Sequence, residues 1–554
     1  MSARTRDQKQ TNVLYWTTAS QGQNGKEIGH AKGLLARKSS PLFYTSNDSH
    51  PHFGSWARKG IPVKILLVYP EFPDTFWSFK HALKFIRKES GAPPLGLLTV
   101  AAMLPQDWEL KLIDMNVAKL SNDDLLWADF VFLGGMVVQQ ASARQVIDRC
   151  KTLDVTVVAG GPLFTCEPDQ FDDVDFLVLN EAEITLPLFL ADLARGTPQR
   201  VYTTDAFPDI QQTPAPRWDL LDLKRYASMN IQFSRGCPYD CEFCNITSLF
   251  GHRPRTKSAV QILAELDGLY ALGWRGSVFF VDDNFIGNKK RLKQEILPAL
   301  IHWRKDKVGL PFNTEVSINL ADDPELMDLM FEAGFNTVFV GIETPDEESL
   351  AECNKFHNQG RDLVESVKRI HRAGMQVQGG FIVGFDSDTP SIFQRQIDFI
   401  QKAGIVTAMV GLLQAPTGTK LYQRMKGEGR ILASSTGDNV DGSTNILTRM
   451  NLDTLRTGYK MILDQIYSPK LYYERVKTFL REYKTPKIVM HIDLQSLLAF
   501  PRSIYRIGIR GAERLHYWRL LFWTLLWRPR LLALTVTMAI YGYHFRQVVE
   551  RHVL

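Results

Sequence analysis

The chain holds few cysteines, six in 554 residues. No signal-peptide pattern opens it, so none of those six is expected in a disulfide framework. Net charge is also small. A formal +5 over this length gives no global electrostatic case for nucleic-acid binding. Near the C-terminus, Leu531–Phe545 is uncharged for fifteen residues, short of the ~20 that span a bilayer. No internal repeat is visible. What remains is ordinary globular composition, 45% hydrophobic and 23% charged. The length is too great for a single core and implies two or three domains.

Three of the cysteines stand together as Cys237-x-x-x-Cys241-x-x-Cys244, inside Gln232–Asn245. Cubane iron–sulfur clusters are held by cysteine thiolates, normally four. Here three lie on one loop, with Gly236 and Pro238 letting the backbone wrap, so one iron stays open to a small molecule. Zinc fits less well, because a structural site wants a fourth Cys or His at short spacing and His252 lies eight residues past Cys244. Cys150, Cys166 and Cys353 are scattered, carry no assigned role, and are expected as small buried hydrophobes. Exposed thiols and an oxygen-sensitive cluster favour a reducing cytoplasm. The spacing, with aromatic Phe243 before the last cysteine, resembles the signature of the radical S-adenosylmethionine (SAM) superfamily. That resemblance implies a 4Fe–4S cluster on Cys237, Cys241 and Cys244. It also implies SAM on the open iron and reductive cleavage of SAM to a 5′-deoxyadenosyl radical.

Residues 1–60 are polar and basic, and are expected to be disordered or extended. From 61 to 200, short apolar runs at Val63–Pro70, Leu110–Asp114, Phe130–Leu133, Val155–Val158 and Phe176–Leu179 alternate with helix-compatible segments. The expected fold is α/β, a doubly wound parallel sheet. Ligands on such sheets bind beyond the carboxyl ends of the strands. Those ends carry Asp114, Gly134, the pair Gly160-Gly161, and Glu181. The pattern resembles the cobalamin-binding domain ahead of many radical SAM domains, which makes these five residues expected cobalamin contacts. Where that fold ligates cobalt through histidine, its motif is Asp-x-His-x-x-Gly. Here the stretch is Asp114-Met115-Asn116-Val117-Ala118-Lys119, so this loop supplies no lower histidine ligand.

After a linker at 201–228, a second alternation fills 229–432. Strands are expected at Asn230–Ser234, Ser277–Val281, Asn313–Ile318, Thr337–Ile342, Gln376–Val383 and Thr407–Leu413, and helices at Ser258–Leu272 and Arg361–Ala373. Six strand–helix units fit the open (β/α)6 partial barrel that the resemblance implies, with its site at the strand carboxyl ends. By the same resemblance Phe243, Asp283, Asn284, Glu315, Ser317, Glu343 and Gly384 are expected to contact SAM, Glu315 first and Glu343 second. Taken singly, each acidic residue reads as a cap or a surface ion pair; their recurrence at successive strand ends strengthens the joint reading.

Further stretches match one branch, among them Tyr69–Phe79, Arg253–Thr256, Asn319–Asp323 and Val383–Asp388. Together they resemble cobalamin-dependent radical SAM proteins with a helical C-terminal domain, a group that includes hopanoid methylases. The aromatic stretch Tyr69–Phe79 reads at least as well as a lid on its own domain as it does as a substrate contact. A helical domain is expected over 433–554, with helices at Leu452–Ile466 and Lys470–Tyr483 and a break near Pro486. From Ser496 onward nine arginines face two glutamates. With Leu515–Trp527 and Leu531–Phe545, that tail reads either as helices lying in a membrane headgroup layer or as a hairpin packed on the barrel or a second subunit. The expected activity is methylation of an unactivated carbon on a lipid-like or other hydrophobic substrate, with an electron donor such as flavodoxin or ferredoxin. Two alternatives stand beside it: radical ring closure or carbon–carbon coupling on a lipid or tetrapyrrole, and a non-catalytic cobalamin or iron–sulfur sensor. A methylthiotransferase fits less well, since the N-terminal domain holds only Cys150 and Cys166.

Overall fold

The computed structural model describes residues 62–438, 440–485 and 493–553. The extended terminus expected at 1–60 and the break expected at Pro486 lie outside the described residues. The first sheet holds β1 (Lys64–Tyr69), β2 (Glu109–Asp114), β3 (Phe130–Gly134), β4 (Thr156–Gly160), β5 (Phe176–Val178) and β6 (Val201–Tyr202). All are parallel, in the order β2-β1-β3-β4-β5-β6. The run Lys64-Ile-Leu-Leu-Val-Tyr69 needs no polar alternation because helices cover both faces. Leu66 and Val68 pack with Val146 and Ile147 on one side, while Ile65 and Leu67 pack with Leu97 and Phe189 on the other. Strand order reverses between β1 and β3, which opens a crevice at their carboxyl ends. β6 falls in the stretch read as a linker, and Trp218 and Tyr226 of that stretch are buried in the core.

The second sheet runs β7 (Ser228–Ile231), β10 (Ser277–Phe280), β11 (Phe312–Glu315), β12 (Phe335–Glu343), β13 (Gln376–Val383) and β14 (Ala408–Leu412), in chain order and all parallel. Its end strands β7 and β14 are not neighbours, so among the described residues the barrel stays open. Between β7 and β10, the short antiparallel pair β8 (Ser234–Arg235) and β9 (Arg255–Thr256) brackets the cysteine loop. Helices are seated by local chemistry. Ser258 and Gln261 form a capping box on Ala259–Ala271, and Asp362 accepts from the Glu365 amide at the start of Leu363–Ala373.

Behind the barrel lie helices Leu452–Tyr467, Pro469–Glu482, Leu494–Ser503, Arg514–Trp527 and Leu532–His552. The Tyr467 hydroxyl donates to the Ala408 carbonyl at 2.6 Å, and the Tyr472 hydroxyl to the Met538 carbonyl at 2.6 Å. His544 Nε2 lies 3.0 Å from the Phe76 carbonyl oxygen, tying the last helix to the aromatic stretch. The last apolar run is therefore an internal helix. Arg514–Trp527 buries one side and exposes Leu515, Phe522 and Leu526 on the other. Among the described residues no helix is long and apolar enough to cross a membrane.

Candidate active site between the two sheets

The cysteine loop is built around Gly236. Its φ is +94°, and a Cβ there would sit within 3.0 Å of the carbonyl oxygens of Phe250, Gly251 and Arg253; only glycine fits. Glu242 ties the loop to helix Lys420–Gly427 through Arg424 at 2.7 and 2.8 Å. Asn284 Nδ2 donates to Cys237 Sγ at 3.9 Å, while Asn284 Oδ1 accepts from the Ser317 amide at 3.2 Å. Ser317 donates to Asn319 at 2.7 Å, and Asn319 to the Tyr239 hydroxyl at 2.6 Å. Tyr239 in turn stacks on His357 with ring centres 3.8 Å apart. Asn284 and Ser317 thus shape the loop from behind.

Burial pushes the Cys244 thiol up to about 12, so a bare loop holds neutral thiols and iron binding must release their protons. Among the described residues no three Cys, His, Asp or Glu side chains converge on a single-ion site. A cubane makes no such demand, because each thiolate takes a different iron. Beside Cys237 and Cys244, the enclosed Asp283 keeps Oδ2 without a hydrogen-bond partner among the described residues. Burial and then neighbouring Asp282 raise Asp283 to about 7. Burial and then Asp283 raise Glu315, one strand away, to about 8. An orphaned carboxyl oxygen next to three thiols fits a site completed by a bound cofactor.

The remaining expected SAM contacts are placed differently. Glu343, at φ 63° after a bulge in β12, accepts from Lys355 Nζ at 2.7 Å. Lys355 is a cation buried beside Cys241 that sequence reading missed; a lone lysine in a loop carries no sequence signal. Phe243 packs with Phe385, Leu413 and Cys353, and the Lys355 ammonium lies 5.9 Å from its ring. The Gly384 amide donates to Asp388 at 2.8 Å, and a Cβ on Gly384 would meet Leu455 at 3.1 Å. The Cys353 thiol donates to the Leu350 carbonyl.

At the end of the first sheet, Gly134, Gly160 and Gly161 border a cavity of about 1530 Å³ that Asp283 and Glu315 border from the barrel. Pockets for one drug-sized ligand run to about 1,000 Å³, so this space admits more than one. A Cβ on Gly161, whose φ is +87°, would find nothing nearer than 3.7 Å, so that side of the cradle is open because the residue is glycine. Asp114 does not reach the cavity. It accepts from the Asn116 amide at 2.9 Å and from the Tyr226 hydroxyl at 3.1 Å, and so positions Asn116. Asn116, at the place of the motif's histidine, borders the cavity, with its amide group donating to Asp114 and Pro70 and its oxygen accepting from Phe72. Glu181 borders the cavity too, held by Arg235 at 2.6 Å and Arg255 at 2.7 Å. This clamp joins the first sheet to the β8–β9 pair. The two arginines lie too far along the chain from Glu181 for spacing to reveal the contact.

The family comparisons agree with this layout. The model of the radical SAM superfamily matches residues 231–400, that of the B12 binding domain 88–190, and a domain of unknown function (DUF4070) 419–553. An uncharacterised methyltransferase of Synechocystis sp. is 41% identical over 496 residues, covering 88% of this chain and 92% of that protein. The chain belongs to the cobalamin-dependent radical SAM methyltransferases. The hopanoid C-2 methylase of Rhodopseudomonas palustris is 35% identical over 471 residues, 82% of this chain and 88% of that one. Among solved structures, the cobalamin-dependent radical SAM enzyme OxsB with aqua-cobalamin shares the fold at a TM-score of 0.56 and 15% identity, over 86% of this chain and 81% of that chain. Membership makes the protein an enzyme and brings a 4Fe–4S cluster, SAM and cobalamin as its cofactors.

Proposed function

We propose that this enzyme methylates an unactivated carbon of a hydrophobic, lipid-like substrate. One observation carries the reading: the cavity bordered by Asp283 and Glu315 on the barrel side and by Gly134, Gly160 and Gly161 on the other is also walled by Trp77, Phe79, Phe339, Val536, Ile540 and Tyr541. A polar metabolite would leave its hydrogen-bonding groups unpaired against such walls. When bound, the cluster and SAM supply the radical that removes a hydrogen, and cobalamin supplies the methyl group. The chain's own residues bind and shield. Cys237, Cys241 and Cys244 hold the cluster. Asp283 and Glu315 face SAM and substrate. Asn284, Ser317, Phe243, Glu343 and Gly384 shape the surroundings. Gly134, Gly160 and Gly161 let the corrinoid approach the backbone, and Asp114 and Glu181 position that rim. No general base is needed for hydrogen abstraction. The apolar walls of the cavity disfavour water beside the radical. The enzyme needs a reductant, which we take to be a flavodoxin or ferredoxin. We also take the helical tail to touch a membrane surface.

The test is anaerobic turnover of the reconstituted enzyme with methyl-labelled SAM and a polycyclic triterpenoid lipid. The reading expects 5′-deoxyadenosine together with label in the lipid. Deoxyadenosine formed with an altered but unlabelled lipid would replace methylation by ring closure or coupling. Cofactor binding with no SAM cleavage would leave a sensor.

A further inference from the structure

We propose that helices Leu494–Ser503 and Arg514–Trp527 form a docking face for an anionic phospholipid bilayer, and that the mouth of the cavity opens in that face. The docking half stands on its own observations, whereas the entrance half rests on the lipid-substrate reading above. In Arg514–Trp527, Tyr517, Leu520, Leu521 and Thr524 are buried. The opposite side carries Leu515, Arg519, Phe522 and Leu526, spaced to form one stripe. Leu526 is 79% exposed and Trp527 72%. Such side chains are ordinary singly but not as a continuous outer face. Leu494, Leu497, Phe500, Tyr505 and Ile509 extend the exposed apolar surface along the preceding helix and the turn that continues it.

Charge selects the partner. Arg506, Arg510, Arg514, Arg519 and Arg530 are exposed among these apolar residues. The acidic residues of the segment are spent elsewhere, since Glu513 is buried against Arg546 and Asp493 caps its own helix through the Ser496 amide at 2.7 Å. Aromatic and aliphatic side chains flanked by arginines suit the boundary between acyl chains and phosphates. A second copy of the chain suits it poorly, because a two-fold contact would set these arginines against their own equivalents. Leu497 and Phe500 belong both to the exposed face and to the cavity wall, and Lys80 and Ile86 on helix Lys80–Ile86 line the cavity with them. Arg502 anchors the two helices, donating to the Phe85 carbonyl at 2.6 Å. A bilayer seated on this face covers the mouth, and a substrate dissolved in it enters without crossing water.

Flotation of the full-length holoenzyme tests docking without any substrate. The probes are phosphatidylcholine vesicles with and without phosphatidylglycerol. Wild type should float with the anionic vesicles and much less with the neutral ones. Phe522→Glu/Leu526→Glu should lower vesicle partition about tenfold or more, with iron content and SAM cleavage unchanged, because neither residue borders the cavity. Arg514→Gln/Arg519→Gln should remove the preference for anionic lipid. Wild type that floats with neither vesicle overturns the proposal. So does a wild-type dimer that Phe522→Glu/Leu526→Glu turns into monomers without any change in flotation. The entrance is tested by Leu497→Glu, which should slow turnover of lipid presented in vesicles more than of lipid presented in detergent. Equal slowing refutes the entrance and leaves docking standing.

Discussion

Replacing Lys355 by methionine probes the buried pair beside the cluster loop. Lys355 and Glu343 side chains are 11% and 8% exposed, with nitrogen and oxygen 2.7 Å apart. The methionine fills the space of the lysine stem but leaves the Glu343 carboxylate buried without its cation. Breaking a buried pair on one side costs about 3–5 kcal/mol. In a unit of about 150–250 residues each kcal/mol moves Tm by about 2–4 °C, so Lys355→Met should melt ~6–20 °C below wild type. Removing both charges, as Lys355→Met/Glu343→Gln, should recover most of that loss, because no uncompensated ion remains. Anaerobic thermal melts of wild type, both single variants and the double close the cycle. A second readout separates packing from charge. The ammonium favours thiolate at Cys241, and its loss disfavours the extra electron of the reduced cluster. The midpoint potential should therefore move negative in Lys355→Met and return toward wild type in the double variant. A single variant that melts with wild type, or a double variant no more stable than the single, refutes the reasoning.

Three further outcomes follow from the site. Cys244→Ala should lose iron after reconstitution and form no 5′-deoxyadenosine, since the loop then offers two thiolates; iron quantification and product analysis check it. Gly161→Leu places a side chain at φ +87° in the open side of the cradle, and should abolish corrinoid retention, read by absorbance, while iron content holds. In the cofactor-free protein Asp283 and Glu315 titrate at about 7 and 8 against ordinary values of 3.8 and 4.5. At these two positions the fold keeps protons that the unfolded chain has released, so their contribution to stability falls as pH rises from about 4 to 8 and is level beyond. Burial lowers His357, His371 and His544 to about 3, 3 and 4, and these act in the opposite sense below the ordinary histidine range. Glu315→Gln should make the carboxyl-driven fall shallower from pH about 4.5 upward and remove it between about 7 and 8, in melts of wild type and variant across the range.

Much of the scaffold could be read along the chain. Parallel strands buried on both faces leave continuous apolar runs, so five strands of the first sheet fell where such runs were seen. The six barrel strands overlap the expected segments, with β7 at Ser228–Ile231 starting ahead of the expected Asn230–Ser234. β6 escaped because two residues at a sheet edge make no run, and β8–β9 escaped because their pairing is set by the loop they bracket. Site residues separated the same way. The three cysteines announced themselves by spacing, since one loop must present three thiolates to one cluster. Glycines at strand ends also stood out, and local demands explain them: Gly161 has a positive φ, and a Cβ on Gly160 would run into the Val178 carbonyl oxygen at 2.6 Å.

Roles that depend on partners distant in the chain stayed hidden. Glu343 became half of an ion pair with Lys355, Asp114 a support for Asn116, and Glu181 the centre of an arginine clamp, each through contacts that no local pattern encodes. The tail divides likewise. Its composition announced apolar helices edged with arginine. Which helix would be enclosed and which would keep an apolar outer face was settled only by packing, because both carry hydrophobic residues all round. Local chemistry along the chain thus determined the cofactors and the layers, whereas the fold alone decided which charges meet and where the cavity opens.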